Sequence, residues 1–159
     1  MRAHYNRILR DTERSVERSL QIQNLEKGSP WYGAFPQPDG VCQAKYAIYC
    51  VSSMVAVYCN RDSSLYHNGT IYDRALLGLD YVDRVQHENG LFDYVTCNFF
   101  SAPDTAFCIG KIIPHLQYLT ARTDLTAEET VLLGRLRRII HAGARGLLEG
   151  GFHTPNHRW

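Results

Sequence analysis

Apolar positions recur along this chain with a helical period, broken by long segments that no helix can hold. Tyr5, Ile8, Leu9, Val16, Leu20 and Ile22 mark one face of a predicted helix over 2–25, with charged residues filling the remainder. Gly28 suits its C-terminal cap. Residues 28–42 then hold three prolines and three glycines, which excludes a helix or a central strand. The stretch 43–59 is almost wholly apolar, with Tyr46, Ala47, Ile48, Tyr49, Val51, Met54, Val55, Ala56, Val57 and Tyr58. Its β-branched residues make a strand pair a competitor, but its length and lack of a turn signal predict a helix buried on most sides. Asp62-Ser63-Ser64 is a capping cluster for an amphipathic helix over 65–86.

Asn89-Gly90 ends that helix, and 91–103 is expected to be loop. Ser101 or Asp104 can cap a second apolar helix over 105–120, with a kink at Pro114. Thr126 and Glu129 form a capping-box pattern that opens a helix to about 148. Its Arg135, Arg137, Arg138 and Arg145 are expected to form a solvated face. The order is amphipathic helix, long loop, apolar helix, repeated. The apolar helices begin near 43 and 104, about 60 residues apart, and each preceding loop opens on glycine and an aromatic residue.

Repeated helical hairpins build α-solenoids or closed α/α toroids, and buried inner helices ringed by amphipathic outer ones favour the toroid. The expected fold is therefore all-α, one domain over 1–159, with inner apolar and outer amphipathic helices. In an up-down arrangement the loops 28–42, 90–103 and 150–159 should share one face. The short connections near 60–64 and 120–126 should lie opposite.

Length and charge narrow the function classes. At 159 residues and a net charge of +1, the chain suits one domain and makes no electrostatic case for nucleic acid or an anionic membrane. No apolar run approaches the ~18–20 residues of a membrane span. The start at Met1 carries no apolar leader, so a cytoplasmic setting is expected on this chain alone, or a periplasmic or secreted one if a signal lay upstream. The five cysteines, Cys42, Cys50, Cys59, Cys97 and Cys108, form no C-x-x-C pair, and the histidines show no metal spacing. Neither a metal nor another cofactor is implied. Buried free thiols are the best account of the cysteines.

Loop aspartates Asp39, Asp93 and Asp104 admit a glycosidase acid/base reading, although Asp104 also suits a helix cap. Trp31-Tyr32, between Pro30 and Gly33, is the better sugar-stacking candidate, whereas Phe92 and Phe99 are expected to pin their loop to the core.

Three segments carry a family resemblance: Asn89-Gly90-Leu91-Phe92-Asp93-Tyr94, Asn98-Phe99-Phe100-Ser101-Ala102-Pro103-Asp104-Thr105, and Gly150-Gly151-Phe152-His153-Thr154-Pro155-Asn156-His157-Arg158-Trp159. With the helix order, they make the chain similar to the N-terminal part of bacterial (α/α)-toroid polysaccharide lyases, nearest the heparinase II/III-like group. Such proteins are several times longer, so the resemblance implies an opening fragment of about two and a half hairpins, with the remainder of the toroid missing.

The resemblance implies β-elimination on an acidic, uronic-acid-containing polysaccharide. That chemistry needs the uronate carboxylate neutralised and a Tyr or His to take the adjacent proton. Asn156 and His157 match the neutralising pair, although Thr154-Pro155-Asn156 equally suits a helix N-terminus. Arg158, Trp159, Trp31, Tyr32, Asn98 and Asp104 are the implied substrate contacts. Tyr32 and Tyr94 are loop candidates for the base. Two rival readings remain: a glycoside hydrolase of the same toroid type, and a non-catalytic saccharide- or protein-binding helical fragment.

Overall fold

Each stretch of helical periodicity becomes a helix: α1 (Arg2–Ile22), α2 (Ala44–Cys59), α3 (Gly69–Val85), α4 (Ala102–Thr120) and α5 (Ala127–Glu149). These elements come from a computed structural model that describes residues 2–150. The strand alternative for 43–59 is excluded: α2 is helical, and Val51, Met54 and Val57 are fully buried in it. Between α3 and α4 lies an antiparallel hairpin, β1 (Phe92–Tyr94) and β2 (Asn98–Ser101), where the sequence predicts only loop. Among the described residues no helix is long and apolar enough to cross a membrane.

Helices α2 and α4 lie side by side and parallel. Contacts between them climb both helices in step. Lys45 meets Asp104, Tyr49 meets Lys111, Ser52 meets His115, and the Cys59 carbonyl accepts from the Tyr118 hydroxyl. Helices α1 and α3 pack against α2, and α5 packs against α4. This is an all-α arrangement in which the two apolar helices are flanked by the amphipathic ones.

Both short connections fall at one end, as the up-down reading requires. Arg61, after α2, pairs with Asp124, before α5, at 2.6 Å. The long 28–42 segment and the hairpin lie at the other end, where α2 and α4 begin.

Local chemistry explains where the boundaries moved. Helix α3 starts at Gly69 with Asn68 as its cap, not at 65 behind Asp62-Ser63-Ser64. Glu13 of α1 takes those serines instead: its Oε1 accepts from Ser63 Oγ, Ser64 N and Ser64 Oγ. Ser63 Oγ also accepts from Leu65 N, so the serines hold a turn that precedes the helix and do not cap it. Helix α4 runs unbroken through Pro114. Helix α5 does open with the full capping box of Thr126 and Glu129.

Two further expectations need correction. Arg135 and Arg138 are not merely a solvated face: Arg135 pairs with Asp80 at 2.5 Å and with Asp83 at 2.6 Å, and Arg138 also pairs with Asp83, clamping α5 to α3. Phe92 is fully buried as expected, but Phe99 is 58% exposed and pins nothing. The thiols of Cys50, Cys59 and Cys108 are buried and free, and burial pushes Cys59 and Cys108 up to about 12. They behave as small hydrophobes.

Candidate functional site

The first turns of α2 and α4 meet beneath the hairpin, and the polar side chains there are tightly ordered. Ser101 caps α4, its Oγ accepting from Asp104 N at 3.2 Å. The same hydroxyl donates to Asp104 Oδ2 at 2.6 Å and accepts from Asn98 Nδ2 at 2.7 Å. Asp104, 4% exposed, turns its other oxygen to Lys45 Nζ at 3.2 Å. A buried carboxylate needs such partners to remain charged. Asn98 and Asp104 are thus brought together, through Ser101 and onto Lys45.

Lys45 also stands over aromatic rings, 4.9 Å from the Phe107 centroid and 5.6 Å from that of Tyr94. One turn further, Lys111 of α4 stands 5.0 Å over Tyr49 of α2. The two helices therefore exchange cation and aromatic residue: Lys45 and Tyr49 are four apart on α2, and Phe107 and Lys111 are four apart on α4. Spacing by four puts each pair on one helix face. Tyr49 and Phe107 remain 40% and 44% exposed, so their rings are available to a ligand. Beside them a groove of about 280 Å³ is lined by Gln37, Gln43, Lys45, Tyr46, Tyr49 and Tyr94.

A second cavity, about 310 Å³, opens at the other end of the α2–α4 seam against Tyr5, Asn60, His115 and Tyr118. Near it Ser52 Oγ lies 2.6 Å from His115 Nε2. Burial, and then the Lys111 charge, hold His115 below its ordinary value, so the ring is neutral at pH 7. Ser52 is only 2% exposed, so this pair fastens the two helices and offers no accessible nucleophile.

The remaining sequence candidates fall elsewhere. Trp31 is 46% exposed, on a segment held to the end of α1 by Gly33 N–H donating to the Asn24 carbonyl. The Tyr32 carbonyl accepts from Arg84 of α3. Both therefore sit at the correct end of the bundle but on the flanking helices, and neither lines the groove. Asp93 accepts from Phe100 N at 2.7 Å and lies 2.9 Å from His87 Nε2, and Asp39 holds the Val41 N–H of its own turn. Asn156, His157, Arg158 and Trp159 lie outside the described residues. Among the described residues no His, Cys, Asp and Glu side chains gather as a metal site.

The sequence reading missed Gln43, Lys45, Tyr46, Tyr49, Phe107 and Lys111. One signal was present: two of the three lysines in an arginine-rich chain interrupt its two most apolar helices. No protein family, curated protein or solved structure matches this chain.

Proposed function

We propose that this chain is the opening part of an (α/α)-toroid carbohydrate-active protein, and that its α2–α4 seam binds an acidic saccharide. The observation that carries the reading is the exchanged Lys–aromatic pair bordering a tyrosine-lined groove. Aromatic faces take the apolar C–H side of a pyranose, and ammonium groups take its carboxylate. Lys45 is neutralised by Asp104, whereas Lys111 has no acidic partner among the described residues, so the seam carries an unbalanced positive charge. At about 280 Å³ the groove is just smaller than the roughly 300–1,000 Å³ of pockets for drug-sized ligands, which suits a single ring.

The chemistry proposed for the whole protein is β-elimination on a uronic-acid polymer. Asn156 and His157 are its proposed neutralising pair. Of the two candidate tyrosines, Tyr94 lines the groove and is the better candidate to take the proton. The hydrolase alternative is less favoured, because Asp93 and Asp104 are each occupied by local partners.

Titration of the chain with uronate tetrasaccharides and with neutral tetrasaccharides tests the reading. Uronates should bind more tightly, and the preference should shrink as salt is raised. Lys111→Ala should weaken uronate binding about tenfold, the ~1.4 kcal/mol of one charged contact. Tyr49→Ala should weaken acidic and neutral sugars alike. Equal binding of both sugar classes, or none of either, would remove the acidic-saccharide reading. In a longer protein that carries this chain, an unsaturated product absorbing in the enol-ether band would separate lyase from hydrolase.

A further inference from the structure

Gln43 is the N-cap residue of α2, with extended backbone (φ −146°, ψ 154°), yet its side chain makes no capping bond. The residue is 5% exposed and forms part of the groove wall. Its Oε1 is shut off from solvent and has no hydrogen-bond partner among the described residues. A buried acceptor left in this state is a standing cost to the free protein. The helix start beside it also lacks a side-chain cap.

We infer that this wall is a sugar-hydroxyl subsite, in which the Gln43 amide turns into the groove and its Oε1 accepts from a hydroxyl of the bound ring. The inference rests on the saccharide reading above and deepens it. Terminal amide torsions are broad, so the turn needs no backbone change. The amide oxygen accepts from a hydroxyl or an amide N–H, and the Nε2 beside it donates. In the proposed pose a hydroxyl edge faces Gln43 Oε1 and the carboxylate lies toward the Lys111 side of the seam. Tyr46, Tyr49 and Tyr94 line the space between.

This role carries a signature that a merely structural glutamine lacks. Gln43→Met keeps the side-chain length and removes the unpaired acceptor. The free variant should melt at a higher temperature than the parent while binding uronate tetrasaccharides about tenfold more weakly. Its salt dependence should match the parent's, because the lost contact is uncharged, whereas Lys111→Ala should flatten that dependence. A raised melting temperature with unchanged affinity overturns the subsite and leaves the saccharide reading intact. A lowered melting temperature overturns it too, since Gln43 would then be satisfied in the free protein. Failure of the parent chain to bind any of the tetrasaccharides overturns both.

Discussion

Glu129→Ala is expected to cost ~3–5 kcal/mol of folding stability, the usual consequence of breaking a buried ion pair from one side. Glu129 is fully buried and its Oε1 accepts from Arg122 at 2.6 Å and His67 at 3.3 Å. Its Oε2 accepts from Thr126 N at 3.0 Å, closing the capping box of α5. One carboxylate thus joins the turn after α4, the start of α5 and the residue before the α3 cap. Alanine removes the Glu129 half of the capping box, leaves Arg122 with Asp124 as its remaining carboxylate partner and opens a hole. In a domain stabilised by ~5–15 kcal/mol, that is a large share of the total.

The same group sets an acid limit. Burial pushes the Glu129 carboxyl up, but the bonds from Arg122, the Thr126 N–H and His67 together outweigh it, so it titrates below its ordinary 4.5. Its stabilisation is therefore fully present above pH 4.5 and is lost as pH falls through the lower folded value. Urea melts from pH 7 down to pH 3 should show stability falling in acid. Glu13, Asp124 and Glu128 are also lowered and contribute to that slope. Glu129→Gln should reduce the slope by the part Glu129 supplies, and an identical slope in the two proteins would count against the assignment.

Gly90→Ala should be comparably damaging, at ~3–5 kcal/mol from left-handed strain and overpacking combined. Gly90 has φ +85°, and a Cβ there would lie 1.9 Å from the Ala142 carbonyl oxygen. The obstacle is the backbone of α5, which cannot swing aside as a side chain can. Gly28→Ala is the matched control: its φ is +93°, but nothing lies within 4 Å of the added carbon, so it should cost only ~1–2 kcal/mol. Chemical denaturation of the two variants side by side separates strain from collision. Gly90 lies two residues before β1, so Gly90→Ala should also displace Tyr94 and abolish the saccharide binding proposed for the groove at temperatures where the helices persist.

What the sequence revealed and what it hid follow from the range of the interactions involved. Helix positions were legible because residues such as Tyr5, Ile8, Leu9, Val16 and Leu20 of α1 recur at a period set by the backbone itself. The capping box at Thr126 and Glu129 was legible because it is complete within four residues. The true start of α3 was not, because the turn that holds Ser63 and Ser64 is fixed by Glu13, some fifty positions away. The hairpin escaped because strands of three and four residues carry too few alternations to show a period. Asn98 and Asp104 stood out as loop polar residues, but Lys45, the partner that gives them a role, reads as an interruption in a buried helix. The exchange of Lys45 and Lys111 across the seam appears only once two parallel helices are in register.

Cysteine placement has a practical corollary. Cys50, Cys59 and Cys108 are sealed in the core with thiols that resist ionisation, and Cys42 is partly covered, whereas Cys97 is exposed at the hairpin turn. A maleimide dye offered to the folded protein should therefore attach at that one position, three residues from Tyr94. The native chain already carries a single addressable handle beside its groove, from which occupancy can be followed by fluorescence without engineering a new thiol.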